Sequence, residues 1–583
     1  MATPRLSTVG AHVQRQVRVT SVLLFLISFP LLSLATRRYP VPYDEGLLLT
    51  GAMRVVAGQV PHRDFYAIYG PAYFYVPAAL FRIFGQSVII VRLLGHFVGS
   101  LTVAATYAIT SSYCRRSVAL GTAGVTFLWL CGLIGQIFTT VFPVALLSLV
   151  SSIILVPLFA GPVTRKRLCA AGAIAGLSAL YRYDTGVALL AVQVCVIVIA
   201  GYLRPHPTSG RASIIASLWP YLLGFAILTA PPIIYFLSVS PLYPLVFDVV
   251  ILQARNYQSG RQLPFPGIRL TKLEYLAVYV PIITVAVSLL ALLVPSRGHE
   301  NHPIHMHKPM RMEELKGLLI ALSLLAFVMF FKGYVRVVVL SMFPSLLPSL
   351  ILIAVLFEHR QSLPRLALVP VNYLAGFLIF AGLFSAAKAQ GHHLLEGSVP
   401  GRIVKVLLPF ARPASTREAS WCKRANPITK GFCFITDDGR METIDFIDSH
   451  TRPDQLLFVG LDRHDKVFVN DNLIYFGSQR LPATHWSHFD PGLQNSYPIQ
   501  SDMIRELKKT SPPYIVLDSE YEVSHEPNDS SKSSGVTLLD DFIHSKYRYV
   551  RSFDEMSIWQ LIPGADESNA EPTPEPTRGF GSH

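Results

Sequence analysis

The chain has 583 residues, 51% hydrophobic and 15% charged, with a mean hydropathy of +0.42. Soluble domains carry about 25% charged residues, so an ordinary water-soluble enzyme is excluded and a polytopic membrane protein is indicated. The net charge of +13 does not point to nucleic acid, because many of the basic residues sit in short clusters between hydrophobic runs and no nucleic-acid-binding motif accompanies them.

The first hydrophobic run, 19–36, follows Arg5, Arg15 and Arg18 and precedes Arg37 and Arg38, with no small-residue cleavage site. That pattern predicts an uncleaved first membrane helix rather than a signal peptide. Further spans are predicted near 91–113, 117–134, 139–159, 168–181, 185–202, 212–239, 276–295, 317–331, 337–357 and 366–387. The count is about eleven when roughly 20 apolar residues make one crossing. The stretch 117–164 carries no charge and is long enough for two crossings, with Gly135 and Gln136 at the turn. The run 168–181 is short and rich in Gly and Ala, which predicts a tightly packed helix.

With the amino terminus in the cytoplasm, nearly every basic cluster falls on the inner side: Arg115 and Arg116; Arg165, Lys166 and Arg167; Arg204 and Arg211; the segment 297–316; and His359, Arg360 and Arg365. The outer side then receives 40–84, 181–186, the long loop 240–274, 332–336 and everything after about residue 390. An odd number of spans places the carboxyl terminus outside. The predicted organisation is an α-helical membrane domain over 1–390, with its first extracytoplasmic loop at about 37–90, then an extracytoplasmic α/β domain over 391–564 and a disordered tail over 565–583. Within the α/β domain, strands are expected at 455–460, 466–469, 514–517 and 557–561, and helices at 499–509 and 538–544.

Cys114, Cys131, Cys169 and Cys195 fall in or beside hydrophobic spans, as packing residues do. Cys422 and Cys433 lie in the outer polar region; an oxidising compartment would allow them to pair, and spacing does not decide it. His62, His96, His485 and His488 have no zinc-like spacing, so no cofactor is expected, although a divalent metal is not incompatible with the sequence. Asn528-Asp529-Ser530 fits a glycosylation sequon.

The most informative stretch is 40–84. Asp44 and Glu45 open a short helical pattern with Leu49, Met53 and Val56 on one face, which predicts a helix lying along the membrane surface. Neighbours on a helix point about 100° apart, so one carboxylate is expected to face a cavity while the other pairs with an arginine or orients the loop. An acidic helix start favoured by the helix dipole fits the same spacing. Candidate cations are Arg63, Arg182, Arg255, Arg261, Lys332 and Arg336, with Asp64, Tyr69, Asp184 and Tyr257 beside them. Asp184 is placed to orient Arg182. Lys332 and Arg336, four apart, share a helix face if a helix starts there. For each cation, a snorkelling or solvated side chain is the competing explanation.

Pro42-Tyr43-Asp44-Glu45-Gly46, Gly51-Ala52 and Gly58-Gln59-Val60-Pro61-His62-Arg63-Asp64-Phe65 resemble the first extracytoplasmic loop of GT-C membrane glycosyltransferases. The resemblance is to the bacterial protein-mannosyltransferase-like branch, which includes the aminoarabinose transferase of lipid A. Ile68-Tyr69-Gly70-Pro71 stands where that family has a Pro-Pro motif, with glycine for the first proline. The resemblance implies Asp44 as catalytic base, Glu45 and Asp64 as support, and a bacterial inner-membrane location. It also implies a polyprenyl-phosphate sugar donor and a protein, glycan or lipid acceptor whose hydroxyl lies outside the cytoplasm, with inversion at the anomeric carbon. A transporter or flippase of lipid-linked sugars, or a membrane-anchored assembly protein, would share the many spans.

Overall fold

The computed structural model describes residues 4–34, 40–133, 138–204, 210–251, 258–268, 273–294, 312–360, 363, 365–395 and 437–563. Arg255, Tyr257, Cys422, Cys433 and the predicted tail lie outside the described residues. The helices are α1 (Pro4–Leu34), α2 (Asp44–Val56), α3 (Ala72–Phe84), α4 (Val88–Thr110), α5 (Arg116–Leu133), α6 (Val141–Leu155), α7 (Arg165–Tyr181) and α8 (Tyr183–Leu203). They continue with α9 (Arg211–Val239), α10 (Leu242–Val246), α11 (Gln258–Arg261), α12 (Leu273–Leu276), α13 (Val280–Leu293), α14 (Met312–Gly333), α15 (Val339–Glu358) and α16 (Arg365–Leu395).

Among the described residues, nine helices are long and apolar enough to cross a membrane. All eleven expected segments are helical. The two outside the nine are α7, with 17 residues, and α13, with 14 after a short turn of 3₁₀ helix. At about 1.5 Å per residue, either falls short of a ~30 Å hydrocarbon core. The close packing expected of α7 is present. A Cβ on Gly172 would lie 1.9 Å from the Tyr221 carbonyl oxygen of α9, and one on Gly224 of α9 would lie 1.9 Å from that of Cys169. Only glycine lets these backbones touch. α15 is buried along nearly its whole length, whereas α9 turns Ile215, Trp219, Ile227 and Ile234 outward. Apolar side chains facing outward from helices of this length mark an integral membrane protein.

The short helices α2 and α3 have 13 residues each and span about 20 Å, too little to cross. α2 is too short to cross, and its surroundings differ from those of a helix open to water on one side. Residues 45–55 of α2 are buried all round, because the C-terminal segment covers the face turned away from α3 and α4. Thr50 Oγ1 donates to the Asn472 carbonyl (2.8 Å), Arg54 Nη1 to that of Thr484 (3.3 Å), and the Tyr66 amide to that of His485 (3.1 Å).

The C-terminal segment 437–563 carries β1 (Phe458–Leu461), β2 (Tyr514–Asp518), β3 (Tyr547–Phe553) and β4 (Met556–Leu561) in the order β1-β2-β4-β3. β1 runs parallel to β2, with Phe458 opposite Ile515; β2 and β3 both run antiparallel to β4. Its helices are α17 (Asp438–His450), α18 (Leu473–Ser478), α19 (Tyr497–Thr510) and α20 (Leu538–Lys546). The strand expected at 466–469 is absent. Val467 and Val469 alternate inward as in a strand, but their segment is held by Asn470, whose side chain donates to the carbonyls of Val459 and Ser487 (both 3.1 Å). β3 was not foreseen: as an edge strand it exposes most of its residues, including Arg548 and Arg551, and hides the apolar alternation.

Candidate active site

α2 begins at Asp44 with two acidic residues in its first turn, the arrangement favoured by the positive end of a helix dipole. The helix geometry then separates them. Glu45 turns into the bundle, where Arg92 of α4 grips it with two hydrogen bonds of 2.7 Å and the Val41 amide donates to it at 2.8 Å. Its side chain is 1% exposed, and that of Arg92 3%. Asp44 points elsewhere and is only half-buried. Among the described residues its carboxylate has no hydrogen-bond or ion-pair partner. Burial pushes Asp44 above the ordinary carboxylate value; the guanidiniums of Arg261 and Arg336 pull it back, while Glu45 and Asp490 add to the rise.

Those two cations come from separate parts of the chain. Arg261, at the end of α11, donates to Asp490 Oδ1 at 2.7 Å and to Tyr43 Oη at 3.3 Å, with its guanidinium over the Tyr43 ring at 5.6 Å. Arg336, in the turn after α14, makes a two-pronged pair with Glu526 (2.7 and 3.0 Å). Arg336 also lines an open cleft, together with Arg182, Lys332, Thr185 and Ser341. Arg182 is the single residue joining α7 to α8, and its Nε donates to Asp184 at 3.1 Å. Lys332 reaches the other oxygen of Asp184 at 2.7 Å. Their side chains are 26% and 35% exposed, so one shared carboxylate holds two cations that still face the open cleft.

The remaining candidates sit differently. Arg63 and Asp64 pair with one another (2.6 and 3.0 Å) at the surface, and Asp64 also accepts from the Val60 amide at 2.7 Å. Tyr69 packs edge-on against Tyr73 at 4.7 Å. The glycine that replaces proline at Gly70 has a local reason. Its amide donates to the Tyr181 carbonyl at 3.1 Å, and a Cβ there would lie 2.1 Å from the Leu180 carbonyl oxygen. Proline could supply neither the N–H nor the space. The chain thus meets the end of α7, just before Arg182, through Gly70.

His62 is buried in a left-handed backbone conformation (φ 66°), with Nδ1 at 2.9 Å from Asp248 and Nε2 at 3.3 Å from the Tyr183 hydroxyl. His96 lies 3.0 Å from Ser33. Burial, with Arg54 nearby, pushes His485 down to about 3. Among the described residues no group of three or more His, Cys, Asp or Glu side chains is arranged to hold a metal ion. Asp248, Asp490 and Glu526 escaped the sequence reading: each lies some 180 residues or more from its partner and belongs to no motif.

No protein-family model matches the chain, and no curated protein matches it by sequence. Solved structures do. ArnT from Cupriavidus metallidurans bound to undecaprenyl phosphate aligns with a TM-score of 0.51 at 14% identity, covering 95% of this chain and 99% of that one. The Archaeoglobus fulgidus oligosaccharyltransferase in the apo form aligns with a TM-score of 0.51 at 13% identity, covering 91% of this chain and 73% of that one. Both are membrane glycosyltransferases of the GT-C type, and the fold of this chain is the GT-C fold.

Proposed function

We propose that this membrane protein transfers a sugar from a polyprenyl-phosphate donor to a hydroxyl acceptor outside the cytoplasm, with inversion. A shared fold does not fix an activity; the site must carry it. The supporting observation is the placement of Asp44, without a partner among the described residues and raised above its ordinary value, in the field of two guanidiniums, one of which lines a cleft with Arg182 and Lys332. The undecaprenyl phosphate bound by the structurally similar ArnT supports a lipid phosphate as the leaving group.

In this scheme the acceptor oxygen attacks the anomeric carbon and its proton passes to Asp44. The bond from that carbon to the phosphate oxygen breaks, and the phosphate leaves with the bonding electrons. A positioned base contributes about 10²–10⁴-fold. Arg182, Lys332 and Arg336 stabilise the charge that develops on the departing phosphate. In this reading the amino terminus is cytoplasmic, the C-terminal segment extracytoplasmic, and the membrane a bacterial inner membrane.

The test is incubation of the purified protein with radiolabelled polyprenyl-phosphate sugars and acceptors. Wild-type protein is expected to consume one of them and form a glycosidic product, and Asp44→Asn to insert normally without turnover. Full transfer by Asp44→Asn, or movement of lipid-linked sugar across vesicles with no glycosidic product, would overturn the proposal.

A further inference from the structure

Both cations that act on Asp44 are anchored by carboxylates of the C-terminal segment. Asp490 is the more completely engaged. Oδ1 accepts from Arg261 Nη2 (2.7 Å) and Tyr43 Oη (3.2 Å); Oδ2 accepts from Tyr66 Oη (3.2 Å), with His488 Nε2 3.3 Å away. The Asp490 and Arg261 side chains are each only 8% exposed. Tyr43 immediately precedes Asp44, and the Tyr66 ring stacks on His488 at 4.4 Å. One carboxylate therefore ties down the residue before Asp44 and a guanidinium beside it. Glu526 does the same for Arg336, and Asn528 fixes Glu526 by donating to it and to the Gln262 carbonyl, both at 3.0 Å.

A cluster that only glued the C-terminal segment to the bundle would not need to choose these cations. Thr50, Arg54 and the backbone amide of Tyr66 already provide contacts across that boundary away from Asp490 and Glu526. We infer that Asp490 and Glu526 are positioning residues of the transferase, holding Arg261 against Tyr43, the residue before Asp44, and Arg336 at the edge of the cleft, so that the C-terminal segment completes the active site. This rests on Asp44 being the base.

Among the described residues, the charged and titratable groups facing Asp44 are Arg261, Arg336, Glu45, Asp490, Tyr43 and Tyr73. Their signs make the test diagnostic. Arg261 lowers the Asp44 value more than Asp490 raises it. Asp490→Asn should let Arg261 move away, and the acid limb of kcat/KM then shifts to higher pH. If Asp490 acts merely as a nearby negative charge, its removal shifts the limb to lower pH. Glu526→Gln gives an independent variant, because its carboxylate holds Arg336 rather than Arg261 and its side chain is partly exposed.

The full-length protein is assayed with the labelled polyprenyl-phosphate sugar that the wild type consumes. Asp490→Asn is expected to lose about 100-fold in kcat, the scale of a misplacement near 1 Å, with the acid limb moved up. Glu526→Gln is expected to show a smaller loss and a shift of the same sign. If Asp490→Asn does not accumulate, Glu526→Gln carries the same readout. A downward or absent shift with wild-type kcat in the variants that fold overturns the inference while Asp44→Asn stays inactive. An active Asp44→Asn instead overturns the function on which it rests.

Discussion

Two charge clusters, one at the start of α2 and one lining the cleft, are built oppositely. On the bundle side, Arg92 and Glu45 form a closed clasp, both prongs engaged and both side chains nearly free of solvent. On the cleft side, Arg182, Lys332 and Arg336 share Asp184 and Glu526 among three cations, and each cation is about a quarter to a third exposed. The closed pair has no capacity left and can only hold two helices together. The open cluster keeps positive charge facing empty space and can receive an anion. Environment thus assigns different tasks to neighbouring carboxylates of nearly identical chemistry, as it does wherever paired carboxyls divide a reaction between them.

The sharpest way to break this contrast is to neutralise each carboxylate in turn. Asp44→Asn is expected to reduce transfer by about 10²–10⁴-fold, the contribution of a positioned base, with an unaltered melting temperature in detergent. Glu45→Ala should do the reverse. It strands Arg92 in a buried site and is expected to cost about 3–5 kcal/mol of stability, read by thermal or denaturant unfolding. The fraction that remains folded should keep its turnover. Equal loss of turnover in both variants, with unchanged stability, would erase the division of labour.

The pH profile sharpens the same contrast. A base works only when deprotonated, so transfer falls as pH drops through the value of Asp44. Because burial raises that value, the acid limb of kcat/KM should lie above the ordinary aspartate value of about 3.9. Arg261→Gln removes the largest opposing charge and should move the limb higher still. On the cleft side, Arg182→Ala or Lys332→Ala is expected to raise the donor KM by about 10–100-fold, the scale of a charge-assisted contact of roughly 1.5–3 kcal/mol. Acceptor KM should change little.

The helical architecture and the loop that opens at Asp44 were legible in the sequence because hydropathy and local motifs are properties of contiguous residues. α17 also left a local signal that went unread. Asp437 accepts from the Arg440 amide at 2.9 Å as its N-cap, and Met441, Ile444 and Ile447 recur every three residues on the buried face. The clamp on Arg261 left none. Asp490 lies 229 residues from it in a loop, where nothing distinguishes it from any solvated aspartate until the fold closes. Likewise, Gly70 reads as a departure from a Pro-Pro motif until Leu180 is seen against it. Sequence exposes what a residue does with its neighbours in the chain; long-range pairs become visible only through packing.

Arg63 carries the smallest predicted effect and tests where the open cluster ends. It belongs to the stretch that resembles the family, but its guanidinium is occupied by Asp64 and its side chain is 39% exposed. An exposed pair of this kind contributes about 0.2–1 kcal/mol, so Arg63→Ala should change kcat/KM by no more than about fivefold and leave the donor KM nearly as it was. A lipid phosphate held by Arg63 would instead cost at least about tenfold in donor KM when the arginine is removed. That result would move the anion site from the cleft beside Arg182 to the outer rim of the loop, and Lys332→Ala would then be the variant that leaves the donor KM unchanged.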